Sequence, residues 1–188
     1  MRGLRAFAVA GVVAAGLAGA ALAGPARGAD PESEPVADMH AFASPDAESA
    51  AQRAVRGAER RFDGVDAAAR DLIQRHDRDC AAPALTAAVA DLQSIERDAG
   101  RYITLAETAP NRSDRVAAMD VLDELDAFVL DGYLRAAEAL EMTRCAARAE
   151  GLYETVIKTY TGRSYAHWRA RAAARLAAIR AGRLLSAP

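Results

Sequence analysis

The sequence predicts an all-α protein built of antiparallel helical hairpins. Over most of residues 46–182, apolar side chains recur at three- and four-residue steps, the period of a helix with one buried face. No run of four or more β-branched-rich residues alternates apolar with polar, and valine and isoleucine fall on the helical stripes instead. That pattern leaves no candidate strand. The connections are short, which makes successive helices antiparallel neighbours.

Residues 1–23 precede this region. Arg2 and Arg5 are followed by an uncharged apolar run that closes on Ala21-Leu22-Ala23, the layout of a secretory signal peptide cleaved near Ala23. The run is short, rich in glycine and alanine, and lacks basic stop-transfer residues after it, so a spanning helix is the poorer reading. The expected location is periplasmic or secreted. Residues 24–45 hold Pro25, Pro31, Pro35 and Pro45 among glycines and acids, a composition too poor in apolar surface to offset the entropy of ordering. They read as a flexible linker to a single helical domain over 46–182.

Ser44, Pro45 and Asp46 form a helix start, with a cap, a preset first turn and an acid at the positive end. Val55, Ala58, Phe62, Val65, Ala69, Leu72 and Ile73 then mark one long helix that passes Asp63-Gly64 without a phase slip. Leu85, Val89, Leu92, Ile95, Ala99 and Tyr102 mark a second, starting at Pro83 and running past Gly100 toward Glu107. A third, with Ser113 as its expected cap, carries Val116, Met119, Leu122, Leu125 and Val129 as its stripe. These helices make up the N-terminal part of the domain, residues 46–129.

The spacing is more specific from residue 130. Tyr133, the pair Ala136-Ala137 and Leu140 alternate large, small and large, and Ala149, Tyr153 and Val156 repeat the idea on a following helix. On these residues the segment 130–179 resembles a tetratricopeptide repeat, a helix–turn–helix unit of about 34 residues. It is similar in particular to the last repeat and following helix of envelope-associated members, such as outer-membrane assembly lipoproteins and the periplasmic cell-division coordinator. Thr161 stands where that family usually has proline, and Cys145 stands in the turn where an aromatic is common. The resemblance implies close packing of small against large side chains and a role in protein–protein interaction. Gly162 breaks the chain, Ser164 is the expected next cap, and Tyr165, Trp168, Ala172, Leu176 and Ile179 are the stripe of the last helix.

Cys80 and Cys145 are 65 residues apart. In an oxidising compartment an even pair forms a disulfide, with two unrelated thiols as the alternative. The chain carries 24 basic and 26 acidic residues, a balance that excludes a general nucleic-acid binder. Charge is nevertheless polarised along it. Residues 155–188 contain Lys158, Arg163, Arg169, Arg171, Arg175, Arg180 and Arg183 and no acid, while residues 114–141 are rich in aspartate and glutamate. Either the two segments complement each other within the fold, or the last helix offers a basic patch to an acidic protein or an anionic surface.

No motif for catalysis or for a cofactor occurs. His76, Asp77, Asp79 and Cys80 crowd one loop without a second histidine or cysteine at ligand spacing, so no metal site is assigned. His40 and His167 belong to no motif, and the glycine patterns of phosphate sites and the nucleophile elbow are absent. The expected function is non-enzymatic interaction with an envelope protein through Trp168, Arg169, Arg171 and Arg175. The alternative is a small periplasmic bundle holding an apolar ligand or metal, with Phe62, Leu92 and Phe128 around its cavity.

Overall fold

The computed structural model describes residues 45–75 and 80–186. The signal-peptide assignment, the linker up to residue 44, and His76, Asp77 and Asp79 lie outside the described residues. Five helices follow one another: α1 (Pro45–Gln74), α2 (Pro83–Thr108), α3 (Arg112–Met142), α4 (Ala146–Thr159) and α5 (Ala166–Arg180), with a 3-10 turn at Arg163–Tyr165 before the last. No strand occurs among the described residues, so the protein is all-α.

The predicted stripes are the buried faces of α1 and α2. Ala58, Val65, Ala69 and Leu72 of the first pack with Leu85, Leu92, Ile95, Ala99 and Tyr102 of the second. Both lie against α3. Phe62 and Phe128 have ring centroids 6.0 Å apart, and Arg135 Nε donates to Asp66 Oδ1 at 2.6 Å. Residue numbers therefore rise together along α1 and α3, which run parallel. Helix α2 runs the other way, pairing Leu92 with Gly132 and Cys80 with Cys145.

Helix α3 is the shared wall of the fold. From Leu125 to Glu141 it is buried nearly all round, because α1 and α2 cover one side while α4 and α5 stack on the other. A helix buried on every side needs apolar and small residues on every side, and "LDGYLRAAEALE" supplies them. Gly132 marks a close approach: a Cβ there would lie 2.5 Å from Leu92 Cδ1.

Four sequence expectations need correction. The division at 129/130 falls inside α3, which continues unbroken through 31 residues; the buried stripe of the N-terminal part and the packing residues of the repeat-like part are one helix. Its cap is Asn111, not Ser113. Asn111 Oδ1 accepts from the Asp114 amide at 2.7 Å and Asn111 Nδ2 donates to Asp114 Oδ2 at 2.7 Å, a reciprocal closure that serine two residues later, already inside the helix, does not offer. Ser164, likewise, lies within the 3-10 turn, and Tyr165 precedes α5 with no side-chain cap bond. Finally, Val116 and Met119 are 47 % and 38 % exposed, on the face of α3 opposite the buried Ala118 and Leu125.

The cysteines form a disulfide, with Cα atoms 5.3 Å apart, tying the start of α2 to the α3–α4 turn. Beside it Arg148 donates to the carbonyl oxygens of Cys80 and Ala81 and, at 2.8 Å, to Thr86 Oγ1.

Candidate interaction surface

Helix α5 is held to α3 by a ladder of polar contacts in which acids belong to α3. Tyr165 donates its hydroxyl to Asp126, and Trp168 Nε1 donates to Asp131 Oδ1 at 2.8 Å. Arg171 Nη2 donates to Glu138 Oε1 at 2.5 Å, and Arg175 donates through Nε and Nη2 to the two oxygens of Glu141. Residue numbers climb together on both helices, so α5 runs parallel to α3 with α4 antiparallel between them. From α4, Glu154 Oε1 accepts from Arg180 Nη2 at 2.8 Å.

The rungs differ in environment, and this sets what each can do. Arg171 keeps 53 % of its side chain exposed, so its pair is a surface contact of at most about 1 kcal/mol. Glu141 is fully buried. Besides Arg175 it accepts from Tyr153 Oη at 3.2 Å and from the backbone amide of Leu185 at 2.7 Å. A buried carboxylate is tolerated only when its lone pairs are filled by donors, and here they come from α4, α5 and the chain beyond α5. The hydrogen bond that Arg175 donates to Glu141 holds it more firmly in its charged form, while burial, with the charge of Glu141 next, pushes the Tyr153 phenol well up.

A second polar cluster closes the other end of α4. Tyr160 Oη donates to Glu96 Oε1 of α2 at 2.6 Å, and its ring meets Tyr165 edge-on with centroids 5.4 Å apart. Burial, followed by the negative charge of Glu96, raises the Tyr160 phenol strongly and the Tyr133 phenol to about 12. Half-buried Glu154 shifts the other way, held below its usual range chiefly by the hydrogen bond from Lys158.

The seven repeat-packing residues converge in the core. Tyr133, Ala136, Ala137 and Leu140 of α3 and Ala149, Tyr153 and Val156 of α4 are all at most 3 % exposed. The four proposed contact residues do not act together. Trp168, Arg171 and Arg175 are drawn to α3 acids, so for these three the complementarity of the two charged segments is satisfied within the fold. Arg169 alone of the four has no α3 acid as a partner. Its Nε has no hydrogen-bond partner and is shielded from solvent, and it borders an outer face of α5 made of Ala166, Ala170, Ala173 and Ala177, all exposed.

Sequence reasoning missed Glu141 and Arg148. Glu141 looked like one more acid on a solvated helix, although its place beside Leu140 in a small-residue run was a signal of burial. Arg148 lies three residues after Cys145, and nothing local marks the carbonyls it reaches. Among the described residues no group of three or more histidine, cysteine or acidic side chains is placed to hold a metal, and no helix is long and apolar enough to cross a membrane. No family model, curated protein or solved structure matches the chain.

Proposed function

We propose that the protein is a non-enzymatic, exported helical scaffold that binds an envelope protein through the outer face of α5. The observation that carries this reading is Arg169: a guanidinium with an unfilled, shielded Nε beside a row of exposed alanines on the last helix of the stack. Small side chains admit another helix closely, and a cation lacking a partner at their edge favours an acidic one. The likeness of residues 130–179 to a tetratricopeptide repeat supports the same reading, since in such arrays the face of each helical pair receives the next. The disulfide is compatible with export. Packing of Leu92 against Gly132, and of Phe62 against Phe128, leaves little room for an apolar ligand between these side chains and weighs against the internal-ligand alternative.

The experiment is an envelope pull-down with residues 24–188, wild type against Arg169→Glu and Ala173→Gln. Arg171 and Arg175 are left intact because they hold α5 in place. An acidic protein lost with both variants supports helix docking on this face. Loss with Arg169→Glu alone points instead to charge-driven contact with an anionic lipid or polymer surface. Equal recovery by all three, or none by any, removes the reading.

A further inference from the structure

The large apolar side chains left exposed among the described residues are Val116 and Met119, and they share one face of α3. Arg112 and Asp123 continue that face: positions 112, 116, 119 and 123 are spaced four, three and four, the a/d spacing of a two-helix seam. Along the seam the order is cation, apolar, apolar, anion. Arg112 and Asp123 are exposed and make no ion pair with another described residue, whereas Asp126, Asp131, Glu138 and Glu141 further along α3 all meet α5 or the 3-10 turn before it.

We infer that this face pairs with the same face of a second copy of the chain, the two α3 helices running antiparallel about a two-fold axis between positions 117 and 118. That operation exchanges 112 with 123 and 116 with 119. Arg112 then faces the partner subunit's Asp123, and Val116 faces the partner subunit's Met119, twice over by symmetry. A parallel pair sets Arg112 against Arg112 of the partner subunit and Asp123 against Asp123 of the partner subunit, so charge selects the antiparallel arrangement. Three helical turns bury less than the roughly 800 Å² per partner of a standard interface, which makes the association weak and concentration-dependent. The inference is independent of the surface on α5.

Sedimentation of the purified protein, as processed by the expressing cell, tests it over about 10 μM to 1 mM. Wild type self-associates across this range. Arg112→Asp or Asp123→Arg alone places like charges together and weakens the dimer at least about tenfold, and the double swap restores it. Restoration also excludes misfolding as the cause of the single losses. A wild type that stays monomeric, single variants that associate normally, or a double swap no better than its parents each overturns the pairing.

Discussion

Arg175 on α5 grips Glu141 on α3 through both its Nε and its Nη2, across 34 residues of sequence. The two partners are not equally exposed: the Arg175 side chain is 25 % accessible and that of Glu141 is 0 %. Removing the cation therefore strands a buried carboxylate, whereas neutralising the acid lets the arginine turn toward water. Arg175→Met is expected to destabilise by about 3 kcal/mol or more. Glu141→Gln, which still accepts from Tyr153 and Leu185, costs less. Urea denaturation of both variants checks the order, and a reversed order contradicts the account.

The disulfide closes a 65-residue loop, and Arg148 spans the same junction. Reduction is expected to lower stability by about 4 kcal/mol through the entropy of the unfolded chain while leaving helical content unchanged under native conditions. Arg148→Ala then lowers the midpoint further in reduced protein. Thermal melts followed by circular dichroism, with and without reductant, read both effects.

Two helices end in the same hydrogen-bond pattern on different residues. After α3, the amides of Arg144 and Cys145 donate to the backbone carbonyls of Glu141 and Leu140, with Arg144 at φ 70°. After α5, those of Gly182 and Arg183 donate to Ile179 and Ala178, with Gly182 at φ 71°. The left-handed position favours glycine, so Arg144→Gly is expected to stabilise by about 1 kcal/mol and Gly182→Ala to destabilise by about 1 kcal/mol. Opposite shifts in unfolding midpoint are the signature.

Gly132 leaves no space for a methyl group beside Leu92. Gly132→Ala is expected to cost about 1–3 kcal/mol by overpacking, and Leu92→Ala about 2–5 kcal/mol by opening a cavity. The double variant fills part of its own cavity, so it falls short of the sum of the two. Additive losses in a double-mutant cycle refute the contact.

Tyr133, Tyr153 and Tyr160 all hold their protons above the ordinary phenol range. A raised folded value means stability that is fully present below the unfolded value near 10 and lost as pH rises through the folded one. With Tyr133 at about 12, stability falls across pH 10 to 12. Absorbance at 295 nm and far-ultraviolet circular dichroism rise and fall together if phenolate formation requires unfolding. Full ionisation near pH 10 with helices intact contradicts this.

The faces of α1 and α2, and the core of α4 and α5, were legible because amphipathic spacing is local: Val65, Leu92, Tyr153 and Leu176 are all buried where their stripes placed them. The N-terminal turns of α3 were not. Val116 and Met119 have helical spacing like any core pair, but a stripe is buried only where another helix covers it. The break at 129/130 failed for a related reason: α3 meets α1 and α2 on one side and α4 and α5 on the other on both sides of that position, and its backbone continues unbroken through it.

From the sequence alone came the helical class, the order of helices, most of the core and the pair of cysteines, because each depends on residue type and short-range spacing. Which charges face inward was decided by the tertiary structure. Trp168, Arg169, Arg171 and Arg175 lie within two turns of one helix, yet three of them bond to α3 acids and Arg169 does not. That division depends on the parallel alignment of α5 with acids some 30 to 40 residues earlier, a relationship set only when α4 folds back between them.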